Sequence, residues 1–131
     1  MVIQLGHQIL DGNSPKLFEG SDKIFRDFIN IEDVIQANIK SCCSKKNGIY
    51  NVGTGISRSF QDVADVLQKE LNTTLEIEYI TNPYKTGYQF NTQADISESI
   101  LHLDFNPSIS LESGIRSYIS EIKHHHKAEK L

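Results

Sequence analysis

Tryptophan is absent from this 131-residue chain, and cysteine, methionine and proline are scarce. The two cysteines, Cys42 and Cys43, are adjacent, so the chain cannot build a disulfide framework, and we expect a reducing, cytoplasmic compartment. No apolar run approaches the length of a membrane-spanning helix. The 13 basic residues are outnumbered by 17 acidic ones, giving a net charge of -4. This balance argues against binding nucleic acid or an anionic membrane through bulk charge, although a single arginine can still hold a phosphate.

The remaining composition is typical of a globular protein, with 38% hydrophobic and 23% charged residues. The length is enough for one domain with a modest core. We assign residues 1–123 to this domain and predict that the tail HHHKAEKL, residues 124–131, is polar and frayed.

Hydrophobic periodicity predicts a mixed α/β fold with too few strands for a complete doubly wound sheet. Helices are expected at residues 2–10, 32–47, 60–71, 96–103 and 111–122, and strands at 16–18, 28–31, 49–52 and 75–80. Ser57 or Ser59 can cap the third helix, and Ser110 the last one. Residues 81–95 show no period and are predicted to form a long loop, a kind of segment that often carries function.

A glycine turn, Gly53-Thr54-Gly55, follows the apolar stretch that ends at Val52. Such a turn can lie against a phosphate, but the dinucleotide fingerprint needs a third glycine, and Arg58 stands in its place. A tight structural turn is the favoured interpretation.

The chain shows no evident catalytic or metal-binding set. Consecutive histidines 124–126 point in different directions on a helix, so a solvated tail is favoured over a metal site. Cys42 and Cys43 fit a helical apolar pattern and are interpreted as small core residues. None of the five tyrosines has a lysine four residues later, so the Tyr-x-x-x-Lys pair of base catalysis is missing.

The stretch LFEGSDKIFRDF, residues 17–28, is the strongest candidate for a ligand site. Its turn, Phe18 to Ser21, offers an aromatic ring, a carboxylate, backbone N–H groups and a hydroxyl. Arg26 can bind a phosphate through two parallel hydrogen bonds. The competing interpretation is a surface hairpin in which Arg26 pairs with Asp27 and contributes little.

Three segments, KLFEGSDKIFRDFINIEDV, GIYNVGTGISRSFQDVAD and TGYQFNTQAD, resemble one known family. Over nearly its whole length the chain looks like the C-terminal part of ADP-glycero-manno-heptose 6-epimerase, an extended short-chain dehydrogenase/reductase. The RDF-x-x-x-x-DV and NVGTG motifs occur in many nucleotide-sugar epimerases and dehydratases. FEGS with RDF, followed by Y-Q-x-x-T-Q-A-D, is more particular to the heptose enzyme.

The resemblance implies an NADP-dependent enzyme that removes a hydride from C6 of ADP-heptose and returns it to the opposite face. Its product enters lipopolysaccharide core synthesis. Matching motifs imply that Phe18, Glu19, Gly20 and Ser21 contact the nucleotide-sugar, that Arg26 holds its diphosphate, and that Tyr88 closes over the substrate. The apolar face of Phe18 also suits an adenine ring on chemical grounds alone.

The chain also departs from the family pattern. Many members have a substrate-contacting histidine where this chain has Gln4, so Gln4 is carried over only as a weak candidate. The cofactor loop and catalytic Tyr/Lys pair would precede Met1 in a complete enzyme, so we expect an inactive substrate-binding fragment. Segments 28–31 and 49–52 would then lack their partners in the Rossmann sheet, which would leave unpaired strand edges and an exposed apolar face.

The sequence leaves three alternatives open. In the first, the chain is a fragment or truncated product of a heptose epimerase. In the second, it is a non-catalytic nucleotide-sugar binding or interaction module that pairs with a separately encoded Rossmann chain. In the third, it belongs to a related epimerase or dehydratase acting on another nucleotide-diphosphate sugar. A homo-oligomer is a further expectation.

Overall fold

A computed structural model describes residues 1–84 and 87–130. In chain order its elements are α1 (Val2–Leu10), β1 (Lys16–Phe18), a 3-10 turn (Ser21–Lys23), β2 (Phe25–Asp27), α2 (Ile31–Cys42), β3 (Ser57–Ser59), α3 (Phe60–Leu71), β4 (Glu78–Ile80), α4 (Ser97–Leu103) and α5 (Leu111–Ala128). The α/β prediction is confirmed, and no helix among these residues is long and apolar enough to cross a membrane.

The strands form two small sheets. β1 pairs with β4 in parallel, with Phe18 opposite Ile80, whereas β2 pairs with β3 antiparallel, with Arg26 opposite Arg58. Residues 90–92 run beside β2, because the Phe25 N–H donates to the Phe90 carbonyl (2.8 Å) and the Thr92 N–H donates to the Phe25 carbonyl (3.1 Å). The loop that follows β4 is thereby tied to β2.

The main core lies where α1, α3 and α5 pack together over β1. Its buried apolar residues are Leu5, Ile9, Leu17, Val63, Ala64, Leu67, Ile115 and Ile122. Gly6 allows the close approach of α1 and α5, since a Cβ at Gly6 would lie 2.7 Å from Cγ2 of Ile122. A smaller cluster of Ala37, Leu103 and Phe105 joins α2 to α4.

Helix starts follow the predicted caps. Ser59 caps α3 in a capping box: its side chain accepts from the Asp62 N–H, and the Asp62 carboxylate accepts from the Ser59 N–H. Ser110 caps α5 as predicted. Asn30 caps α2, which places its start within the segment predicted to be extended.

Three strand predictions are wrong in their bounds or existence. Residues 49–52 have no regular structure, and Ile49 is 97% exposed, because no neighbouring strand in the described chain offers them a ladder. The extended segment lies at Phe25–Asp27 rather than 28–31, since α2 begins at Ile31. Only Glu78–Ile80 of the predicted strand 75–80 is paired, because β1 is three residues long.

The cysteines and the tail also differ from expectation. Cys42 and Cys43 are exposed, not core residues. The buried face of α2 runs through Asp33 and Ala37, and Cys42, five residues beyond Ala37, points away from it.

The tail is not frayed over most of its length. Helix α5 continues to Ala128, and Nε2 of His126 lies 2.8 Å from Oδ1 of Asp11. This contact anchors the end of α5 to the turn after α1. The last tail residue, Leu131, lies outside the described residues.

Candidate functional site

The candidate site lies at the carboxyl ends of the parallel strands β1 and β4. The turn 18–21 leaves β1, and the Glu19 N–H extends the pairing by donating to the Ile80 carbonyl (2.9 Å). The long loop leaves β4 at the same edge, although residues 85 and 86 of that loop lie outside the described chain. Ligands of open parallel sheets bind at this kind of edge, because loops from neighbouring strands converge there.

Arg26 is held by two backbone carbonyls and two aromatic rings. Its Nη1 donates to the Phe25 carbonyl (2.7 Å) and its Nη2 to the Gln89 carbonyl (2.5 Å). Its guanidinium carbon lies 5.5 Å from the centroid of Phe60 and 5.7 Å from that of Tyr88. Because arginine carries five N–H donors, three of them have no acceptor among residues 1–84 and 87–130.

The competing interpretation, a surface ion pair between Arg26 and Asp27, is wrong. Successive side chains of β2 point to opposite faces, and within the described residues Arg26 forms no ion pair with any carboxylate. The Arg26 charge is therefore not neutralised by a neighbouring acid, which suits an anionic ligand.

An aromatic cluster surrounds Arg26 on the loop side. The Tyr88 ring meets Phe18 edge to face at 6.1 Å and Phe90 edge to face at 5.7 Å, and it stacks with Tyr84 at 6.5 Å. Tyr84 and Phe90 are 64% and 62% exposed, so part of this cluster faces solvent. Rings beside a cation provide both an apolar plane and a charge, the two features that a nucleotide requires.

The structure distributes the other predicted residues differently. Glu19 and Gly20 are exposed on the turn, and Gly20 adopts a left-handed conformation, with φ of 77°, that favours glycine. Ser21 is buried, and its hydroxyl faces Oε1 of Gln61 at 3.5 Å. Gln4 is exposed on α1, and no hydrogen bond within the described chain joins it to the Arg26 cluster. Phe18, Arg26 and Tyr88 thus meet, while Ser21 supports the turn from beneath.

Asp27 binds the glycine turn. Its Oδ1 accepts from the N–H of Thr54 (2.8 Å) and its Oδ2 from the N–H groups of Gly55 (2.9 Å) and Ala94 (3.1 Å). Partial burial raises the pKa of Asp27, but hydrogen bonds from Thr54, Ala94 and Gly55 outweigh it, so the pKa lies below its ordinary value.

These contacts decide how the glycine turn is interpreted. The N–H groups of Thr54 and Gly55 already bind Asp27, and a Cβ at Gly53 would lie 2.5 Å from Cβ of Ala94. The turn is packed against protein rather than open toward a phosphate, so the structural interpretation is confirmed. The residues of this turn do not fit a dinucleotide cofactor.

Several residues of the cluster were missed by sequence reasoning. Phe60 was predicted only as an apolar position of α3, and Phe90 received no role. Gln61 accepts from the Tyr79 hydroxyl (2.8 Å) and so links α3 to β4. Alternation along β2 predicts that Arg26 and Asp27 face opposite sides, and this signal could have separated their roles.

An open groove lies apart from this cluster, between the start of α2 and the start of α5. Its volume is about 680 Å³, and its lining includes Val2, Phe28, Ile31, Leu111 and Tyr118. Phe18, Arg26 and Tyr88 do not line it. The volume of a groove therefore does not by itself identify the site around Arg26.

No family model matches the sequence. Among solved structures, the chain is 41% identical to ADP-L-glycero-D-manno-heptose-6-epimerase of Helicobacter pylori, with a TM-score of 0.83 over 94% of this chain and 37% of that one. It is 26% identical to UDP-glucuronic acid 4-epimerase of Bacillus cereus in complex with UDP-glucuronic acid and NAD, with a TM-score of 0.84 over 95% of this chain and 40% of that one.

A third structure, UDP-glucose 4-epimerase of Thermotoga maritima, shares the fold at 21% identity, with a TM-score of 0.85 over 95% of this chain and 39% of that one. The chain thus spans about two fifths of the length of these proteins. The predicted resemblance is confirmed: the chain is homologous to nucleotide-sugar epimerases of the extended short-chain dehydrogenase/reductase family, and it corresponds to their C-terminal portion.

Proposed function

We propose that this chain is the nucleotide-sugar binding portion of an ADP-glycero-manno-heptose 6-epimerase, acting in the cytoplasm in lipopolysaccharide core synthesis. The observation that carries the proposal is the convergence of Phe18, Arg26 and Tyr88 at the carboxyl ends of β1 and β4. The 41% identity to a heptose epimerase supports ADP-heptose as the ligand.

Each residue has a proposed task. Arg26 binds the diphosphate through the N–H donors that form no hydrogen bond within the described chain. No carboxylate of that part of the chain neutralises Arg26 through an ion pair. Phe18 offers its ring to the adenine, and Tyr88 covers the ligand from the loop. Glu19 and Gly20 contact the nucleotide-sugar through the exposed turn, Ser21 holds that turn in place, and Gln4 is kept as a weaker contact.

The proposal restricts this chain to binding. Its sequence has no Tyr-x-x-x-Lys pair, and the glycine turn does not fit NADP, the hydride acceptor and donor that the resemblance to the heptose epimerase implies. We therefore expect no epimerisation by this chain alone. A separate Rossmann-domain chain remains a proposed partner.

Calorimetric titration tests the ligand and the role of Arg26. The parent chain is titrated with ADP-heptose and with UDP-glucuronic acid, and Arg26→Ala is compared with Arg116→Ala. Arg116 is a matched control. It is an arginine on α5 that pairs with Glu70 of α3, and it does not belong to the aromatic cluster around Arg26. Loss of the Arg26 hydrogen bonds is expected to weaken ADP-heptose binding about ten- to a hundredfold.

The outcomes separate the alternatives. Heat with UDP-glucuronic acid but not with ADP-heptose refutes the heptose assignment and favours another nucleotide-diphosphate sugar. Equal affinity of the Arg26→Ala and parent chains refutes the diphosphate role of Arg26. Measurable NADP-dependent epimerisation by the purified chain contradicts the restriction to binding.

A further inference from the structure

We infer that Phe60 is a positioning residue for the anion site, acting on the ligand through Arg26. The inference rests on the proposed function, because it concerns how Arg26 is prepared to bind a diphosphate. Phe60 is the first residue of α3. It lies in the segment GIYNVGTGISRSFQDVAD, for which the sequence implied no ligand contact.

The guanidinium of Arg26 lies close to two rings that come from different parts of the chain. Its central carbon is 5.5 Å from the centroid of Phe60, on α3, and 5.7 Å from the centroid of Tyr88, in the loop. Tyr88 belongs to a loop that must admit the ligand, whereas Phe60 belongs to a helix held by a capping box. Phe60 is therefore the fixed ring of the pair.

The position of Phe60 is itself determined by the core. Its N–H donates to the Ile24 carbonyl (3.1 Å), which ties the start of α3 to the chain just before β2. Its ring meets Phe28 edge to face at 5.9 Å. A ring fixed in this way limits the rotamers of Arg26 before a ligand arrives, which lowers the entropic cost of binding.

The same arrangement links the loop to the anion site. Nη2 of Arg26 donates to the Gln89 carbonyl, and the Phe25 N–H donates to the Phe90 carbonyl. Misplacing the guanidinium would remove the first of these bonds and leave the second intact. Loss of Phe60 should therefore disturb Arg26 and Tyr88 more than the backbone of residues 90–92.

The test compares three variants of the full chain: Phe60→Leu, Phe60→Tyr and Phe105→Leu. Phe60→Leu keeps an apolar side chain but removes the ring, Phe60→Tyr restores a ring, and Phe105→Leu removes a buried ring from the separate cluster of Ala37, Leu103 and Phe105. ADP affinity is measured by calorimetry, and the Nε–H signal of Arg26 is followed by NMR, because a ring beside the guanidinium shifts this signal.

We expect Phe60→Leu to weaken ADP binding about three- to tenfold and to move the Arg26 signal, from the loss of one cation–π contact. Phe60→Tyr should restore both, and Phe105→Leu should change neither by more than about twofold. If Phe60→Leu leaves the ADP affinity and the Arg26 signal unchanged, or if Phe105→Leu causes an equal loss, the inference alone is overturned. Failure of the parent chain to bind ADP would refute the proposed function, and the inference with it.

Discussion

Replacing Asp27 by asparagine is the sharpest test of how the site is built. The carboxylate accepts hydrogen bonds from three backbone N–H groups, those of Thr54, Gly55 and Ala94. Asparagine keeps one oxygen, which can still accept from Thr54, but its NH₂ group faces the N–H donors of Gly55 and Ala94. Two charge-assisted hydrogen bonds are lost, and two half-buried donors are left without an acceptor.

The expected cost is about 2–4 kcal/mol in the free energy of unfolding at neutral pH, since hydrogen bonds to charged groups contribute roughly 1.5–3 kcal/mol each and part of this loss is relieved by water. Urea unfolding of the parent and Asp27→Asn chains, followed by circular dichroism, measures the difference. Asp22→Asn is the matched control. Asp22 is an exposed aspartate on the 3-10 turn, and its replacement should change stability by less than about 0.5 kcal/mol.

The difference in unfolding free energy between the parent and Asp27→Asn chains should also depend on pH in a defined direction. The pKa of Asp27 is lower in the folded chain than its ordinary value of 3.8, so its ionised form stabilises the fold above that value. As the pH falls below 3.8 and through the folded pKa, this contribution is lost, and the gap between parent and Asp27→Asn should narrow. A gap that is absent at neutral pH, or that stays constant down to about pH 2, refutes the role assigned to the charge.

Three further predictions concern the core, a cap and the thiols. Ser59→Ala should destabilise the chain by about 1 kcal/mol by removing the α3 cap. Ser57→Ala, which removes no side-chain hydrogen bond among the residues that the structure describes, should leave the urea midpoint nearly unchanged. Gly6→Ala should lower the thermal midpoint despite the higher helix propensity of alanine, because its Cβ would lie 2.7 Å from Ile122; a raised midpoint contradicts this packing. Both cysteines should react with a thiol reagent in the native chain without denaturant, and protection of either thiol contradicts their exposure.

Helices were predictable because their signals are local. Apolar spacing and capping residues act within one or two turns, so Ser59 and Ser110 mark the starts of α3 and α5 correctly.

Strands were less predictable because a strand exists only with a partner. Residues 49–52 have the apolar character of a strand, yet no neighbouring strand of the described chain pairs with them, and they remain irregular.

The candidate site, like the strands, was predictable only in part. The chemistry of arginine shows that Arg26 can bind a phosphate. It does not show whether the partner of Arg26 is a ligand or the Asp27 carboxylate. The choice depends on contacts distant in sequence, since Asp27 is satisfied by Thr54, Gly55 and Ala94, and Arg26 by the carbonyl of Gln89. Such contacts leave no periodic signal, which is why Phe60 also went unnoticed.

Helix α2 shows why apolar periodicity does not by itself predict burial. Ile31, Ile35 and Ile39, at a spacing of four residues, are 65%, 41% and 55% exposed, while the buried face of the same helix carries Asp33 and Ala37. The Asp33 carboxylate is satisfied by the N–H groups of Ser108 and Ile109. The periodicity correctly predicts a helix, but the side that carries the isoleucines is exposed. Which side of such a helix is buried depends on the surfaces available to it, and within the described residues α2 packs through the side that lacks the isoleucines.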